Sequence, residues 1–230
     1  MRSHLESQIQ SHFLFIRGLR YLEPDSFDGF TPLHLAAQEG HKDVAEILIG
    51  AKANIEALTK DNSMPVHYAA LQGHLDIVKY FIETLGIDKE IKGQDNKTPL
   101  ICAAEGGQNE VVKYLLGIGA DIEAVTSGGF TPLHYAAQEC HKDVAEILIG
   151  AKANIEAVSQ DNSMPVHLAS GKGHLDIVKY FFETLGIDKE VKGQDNATPL
   201  NYAAEGDRCE VVKYLLGIGA DIEAVTSVSV

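Results

Sequence analysis

Residues 31–50 read TPLHLAAQEGHKDVAEILIG. Leu33, Ala36 and Ala37 fall on one face of a short helix, and the two alanines let a second helix approach closely. Thr31 stands where its hydroxyl can accept a hydrogen bond from an orphan N–H of the first turn. Pro32 follows at the first helical position, where it forfeits no hydrogen bond. Gly40 ends that helix, because glycine enters the left-handed region without a steric penalty. Val44, Ile47 and Leu48 then form the apolar stripe of a second helix, with Lys42, Asp43 and Glu46 toward water. Gly50 opens the loop beyond, as do Gly119 and Gly219 in later stretches.

The same pattern returns at a fixed beat. Pro32, Pro65, Pro99, Pro132, Pro165 and Pro199 are separated by 33, 34, 33, 33 and 34 residues. A period in this range signals stacked supersecondary units and not one globular interior. A coarser copy lies on top, since residues 29–127 and 129–227 differ at only 17 of 99 positions. Residues 131–150 repeat 31–50 with Tyr135 for Leu35 and Cys140 for Gly40. A block of three units is therefore written twice.

Helices of two or three turns are marginal alone, so each apolar stripe must be covered by the next unit. Burying one Leu, Ile or Val is worth about 1.5–3 kcal/mol, and several per unit offset the ordering entropy only when neighbours stack.

The TPLHLAA of 31–37, the TPLHYAA of 131–137 and the Gly-Ala-Asp of 119–121 and 219–221 resemble the ankyrin repeat family. The resemblance implies an all-α solenoid of stacked helix-turn-helix units joined by β-hairpin loops. It places six units at about 26–58, 59–92, 93–125, 126–158, 159–192 and 193–225 within residues 26–230.

Some units depart from the pattern. Met64 and Met164 replace the capping threonine, which forfeits about 0.5–2 kcal/mol unless Ser63 or Ser163 serves instead. Cys140 and Asp207 stand where Gly40 and Gly107 stand, and a side chain at a left-handed position costs on the order of 1 kcal/mol.

Before Asp28 the pattern fades. Leu5, Ile9, Phe13 and Ile16 share one helical face, so residues 1–25 are expected to form a capping helix or degenerate half-repeat, with the helix over 3–22. The polar face lacks the Lys/Arg enrichment of a membrane-surface helix. After DIEAVTS at 221–227 no polar capping helix follows. Three expectations stay open there: a fraying last unit, end-to-end self-association through it, or a longer array.

Composition narrows the function. No run approaches the roughly 18 apolar residues of a membrane span, and the opening residues do not form a secretory h-region. Cys102, Cys140 and Cys209 lack CxxC spacing and read as free thiols of a reducing compartment, which favours the cytoplasm or nucleus. A net charge of −14 repels nucleic acid and acidic membranes and favours neutral or basic partners. The sequons at Asn96 and Asn196 match the glycosylation pattern without an export signal beside them.

Catalytic and metal readings fail on spacing. His34, His67, His134 and His167 close the TPLH-like motif, while His41, His74, His141 and His174 follow each helix-ending position. A metal needs three or four ligands within about 2.1 Å, whereas equivalent residues on packed helices repeat at roughly 8–10 Å. The resemblance assigns these histidines as hydrogen-bonding struts between units. Glu39, Glu105, Glu139 and Glu205 are also too far apart for acid/base pairs, which need about 5–9.5 Å. Neither a GxSxG elbow nor a P-loop is present. No cofactor, metal or catalytic residue is assigned.

What remains is surface. The resemblance implies a partner held by hairpin tips and exposed sides of the first helices, along a concave face. In the first block these positions are Phe27, Asp28, Phe30, Gln38, Glu39, Lys60, Asp61, Leu71, Gln72, Gln94, Asp95, Lys97 and Glu105. In the second they are Phe130, Gln138, Glu139, Gln160, Asp161, Lys172, Gln194, Asp195 and Glu205. Lys42, Lys79, Lys113, Lys142, Lys179 and Lys213 fall on the second helices instead, which leaves the groove more acidic than the back. The expected function is a non-enzymatic protein-interaction scaffold or adaptor, with a regulatory or targeting array cut from a larger protein as the alternative.

Overall fold

The computed structural model describes residues 29–227. The capping helix expected within residues 1–25, and Phe27 and Asp28, lie outside the described residues. Twelve α-helices occur among the described residues, in six pairs. The first three pairs are α1 (Pro32–Gln38) with α2 (Lys42–Gly50), α3 (Pro65–Gln72) with α4 (Leu75–Lys79), and α5 (Pro99–Glu105) with α6 (Asn109–Gly117). The second three are α7 (Pro132–Gln138) with α8 (Lys142–Gly150), α9 (Pro165–Lys172) with α10 (Leu175–Lys179), and α11 (Pro199–Glu205) with α12 (Cys209–Gly217).

Each first helix packs on the first helix of the next pair, in file from α1 to α11, while α6 packs on both α4 and α8. The alanines permit this approach. Ala37, Ala69, Ala70, Ala103, Ala104, Ala136 and Ala137 are fully buried, and Ala169 and Ala203 continue the line. One apolar cluster runs unbroken from Leu33 to Leu215. It is an elongated core shared unit to unit, as an apolar stripe too narrow to be buried alone requires.

Thr31, Thr98, Thr131 and Thr198 cap their helices through the side chain, and a proline follows each. Met64 and Met164 provide no such hydrogen bond, and the serines beside them do not take over. Ser63 Oγ accepts from Gln94 N at 3.1 Å, and Ser163 Oγ pairs with Tyr202 Oη at 2.6 Å. Both hydroxyls serve the loop or helix of the next unit.

The loops reverse as hairpins with no strand among the described residues. One backbone hydrogen bond spans the base of each: Thr59 N to Ser63 O (3.0 Å), Gly93 N to Lys97 O (2.8 Å), Thr126 N to Phe130 O (3.1 Å), Ser159 N to Ser163 O (2.9 Å) and Gly193 N to Ala197 O (2.8 Å). One pair does not make a ladder.

One detail corrects the sequence reading. Gly50 is the last residue of α2 and does not open the loop; the left-handed residue there is Lys52, at φ 73°. Lys152 repeats it at 77°, whereas glycine holds this place at Gly86, Gly119, Gly186 and Gly219. The 34-residue intervals also have a structural cause, because α4 and α10 run on into π-helical turns at Tyr80–Thr84 and Tyr180–Thr184. Between the left-handed Gly73 and Gly86 the chain carries one residue more than between Gly40 and Lys52. A π-turn absorbs one inserted residue without breaking the helix. It also seats Phe81 and Phe181, fully buried and among the largest core side chains.

Candidate interaction surface

Two sets of side-chain donors hold the units in register. His34 Nδ1 accepts from Thr31 N at 3.1 Å, and its Nε2 donates to Ser63 O at 3.1 Å. His134 does the same with Thr131 N and Ser163 O. His67 and His167 span Met64 N to Ile91 O and Met164 N to Val191 O. A neutral ring protonated on Nε2 satisfies every one of these pairs. Desolvation lowers the pKa of all four, to about 4 for His134 and His167. In the sixth unit Asn201 fills this position, its Oδ1 accepting from Thr198 N and its Nδ2 donating to Ala224 O.

The second set crosses from unit to unit. His74 Nε2 donates to Gln38 O at 2.8 Å, His141 Nε2 to Glu105 O at 2.9 Å and His174 Nε2 to Gln138 O at 2.7 Å. Gln108 Nε2 and Arg208 Nε do the same for Leu71 O and Gly171 O, both at 2.9 Å. Three residue types thus satisfy one need, an orphan carbonyl at the C-terminal end of the preceding first helix. These ring nitrogens are committed to backbone, and among the described residues no group of three or more His, Cys, Asp or Glu converges on one point.

On the back, lysines of one unit lie over tyrosines of the next: Lys42 over Tyr80, Lys79 over Tyr114, Lys142 over Tyr180 and Lys179 over Tyr214, at 5.2–6.0 Å to the ring centroid. The seam between the third and fourth units differs. Ile147 stands at the tyrosine position, and Lys113 turns to Glu110 of its own helix at 2.7 Å. The lysine–tyrosine contact moves to the loop side, where Lys97 Nζ lies 2.7 Å from both oxygens of Glu105 and 4.7 Å from the Tyr135 centroid. Burial opposes the charge on Lys97, but the hydrogen bond and charge of Glu105 outweigh it, so its pKa is raised.

Of the residues expected on the partner face, Glu39, Lys60, Asp61, Gln72, Gln94, Asp95, Glu139, Gln160, Asp161, Lys172, Gln194, Asp195 and Glu205 are exposed. Gln38, Leu71, Lys97, Glu105 and Gln138 are half-buried, with Lys97 and Glu105 joined to each other. Phe30 and Phe130 are half-buried too. Phe30 packs 4.7 Å from the Tyr68 ring, and Phe130 packs 5.5 Å from His134 and 6.1 Å from Tyr135.

The sequence reading missed the tyrosines that reach back onto the preceding loop, Tyr68 to Phe30, Tyr135 to Lys97 and Tyr202 to Ser163. Tyrosine three residues after the proline, at 68, 135 and 202 in alternate units, was the available signal.

A sequence model described as ankyrin repeats (3 copies) matches residues 12–93, 84–159 and 152–226. No curated protein matches. The crystal structure of the human ASB11 ankyrin repeat domain superposes with a TM-score of 0.73 at 29% identity, over 86% of this chain and 87% of that one. Repeats of this kind are protein-interaction modules in general. The chain belongs to the ankyrin repeat family.

Proposed function

We propose that the chain is a non-enzymatic scaffold that holds a partner protein along the concave side formed by its hairpin tips and first helices. The observation carrying this reading is a charge imbalance in an ordered setting. Glu39, Asp61, Asp95, Glu139, Asp161, Asp195 and Glu205 are exposed at hairpin turns and the C-terminal ends of first helices, against Lys60 and Lys172, while Lys97 is taken up by Glu105. A partner with neutral or basic contact residues fits this pattern. The struts and the shared core hold the surface in place before contact, so little further ordering entropy is lost on binding. The free thiols of Cys102, Cys140 and Cys209 agree with work in the reducing cytosol or nucleus.

Charge reversal tests the reading without touching the packed phenylalanines. Affinity capture is run with wild type, with Glu39→Lys/Asp61→Lys/Glu139→Lys/Asp161→Lys, and with the back variant Lys42→Glu/Lys142→Glu. The expected result is a partner retained by wild type and the back variant and lost by the groove variant. Equal retention by all three excludes the concave side.

A further inference from the structure

We infer that the outer face of the sixth unit docks the leading face of the first unit of a second copy, head to tail, rebuilding the seam between the third and fourth units. The duplicated sequence supplies an internal control. Residues 111–127 and 211–227 are identical, and residues 29–57 differ from 129–157 only at Leu35/Tyr135 and Gly40/Cys140. Both halves of the central seam are therefore present a second time, on the sixth and first units.

In the central seam these halves cover each other. Ala104, Val112, Val144 and Leu148 are fully buried there. Of their counterparts, Ala204 and Val44 are exposed, Val44 at 37%, while Val212 and Leu48 are half-buried. Beside them Ile47 is 49%, Leu216 38% and Ile222 72% exposed, where Ile147, Leu116 and Ile122 of the central seam are half-buried. Identical side chains that are more covered in one copy than in the other carry the shape complementarity of the first copy with them. A polar contact is also duplicated. Glu123 Oε1 accepts from Asn154 N at 2.7 Å across the central seam, and Glu223 and Asn54 are both exposed.

The substitutions near the face are compatible with a following unit. Tyr202 replaces Cys102 on the first helix, and Tyr68 already occupies that place beneath the third unit. Asp207 replaces Gly107, and Cys140 already carries a side chain at that place, where His174 still donates to Gln138 O. The missing element is the loop-side clip. Ala197 stands for Lys97 and Leu35 for Tyr135, so the contact between copies is weaker than the seam it copies. A heterologous contact of this kind extends into open chains unless its rotation closes a ring.

The test uses the full chain in analytical ultracentrifugation over a concentration series. Wild type is expected to grow past the dimer as concentration rises. Ile47→Glu, which spoils one face, and Ile222→Glu, which spoils the other, are each expected to remain monomeric. An equimolar mixture of the two variants is expected to stop at a 1:1 dimer, because each keeps one working face. Adding the clip with Leu35→Tyr/Ala197→Lys is expected to tighten association about 3- to 10-fold, the range of one cation–π contact. Monomers at every wild-type concentration, including a monomer whose Val44 and Ile47 are covered by other residues of the same chain, overturn the inference. So does self-association of either single variant, or a mixture that grows beyond the dimer. None of these outcomes bears on the concave side, which the charge-reversal capture tests separately.

Discussion

Lys97 Nζ sits 4.7 Å from the centroid of Tyr135 while holding both carboxylate oxygens of Glu105 at 2.7 Å. This joins the loop ahead of the fifth helix to the seventh, across the one seam where the back carries Ile147 in place of a tyrosine. Lys97 and Tyr135 both differ between the blocks, as Ala197 and Leu35. The contact exists once, where the two blocks meet, and this gives both differences a structural reason.

Lys97→Ala and Tyr135→Leu each import the residue of the other block. Each is expected to lower stability by about 1 kcal/mol, and a double-mutant cycle by chemical denaturation should give a coupling of about 0.5–2 kcal/mol. The raised pKa of Lys97 fixes the pH behaviour. Its contribution is fully present below the ordinary lysine pKa of 10.5 and is lost as pH rises through the higher folded value. A coupling near zero at pH 7 would show the contact to be incidental.

The buried histidines predict an acid limit. His134 and His167 titrate near 4 when folded, against 6.5 when unfolded, because burial disfavours the charged ring. Their stability contribution is whole above pH 6.5 and is lost as pH falls toward 4, with each group removing up to about 1.4 kcal/mol per pH unit. Asn201 shows how to remove the titration while keeping an acceptor and a donor in place. His134→Asn is therefore expected to flatten the fall in thermal midpoint between pH 6.5 and 4. An unchanged slope would place the acid sensitivity elsewhere.

Cys140 and Asp207 occupy the left-handed region at φ 65° and 56°, where Gly40 and Gly107 stand at 75° and 71°. Both side chains are exposed, so little packing is lost on removing them. Cys140→Gly and Asp207→Gly are each expected to raise the thermal midpoint by roughly 2–4 °C, from about 1 kcal/mol of relieved strain. A lowered midpoint with the fold intact would mean that the side chain makes a contact worth more than the strain.

How far these features could be read in advance depended on whether they repeat. Thr31, Pro32, Leu33 and Gly40 recur with their partners at fixed offsets, so capping, burial and helix ends were legible from single positions. The π-turn at Tyr80–Thr84 was visible only as one extra residue per 34-residue interval, and nothing local distinguishes YFIET from an ordinary helical turn. The engagement of Lys97 with Glu105 and Tyr135 was not legible, because it joins loop to helix across 38 residues and occurs once. Phe30 and Phe130 read as partner-face positions, whereas the loops turn their rings onto Tyr68 and His134.

The stacking account meets its most direct test in two stretches of identical sequence, Lys42–Gly50 and Lys142–Gly150. Their local propensities are equal, but Val144 and Leu148 are covered by the preceding unit while Val44 is open. Native-state hydrogen exchange, at a concentration where the chain is monomeric, should show the second stretch opening with the global free energy and the first opening at markedly lower cost. Equal protection in the two stretches would contradict the claim that each helix pair draws its stability from its neighbour.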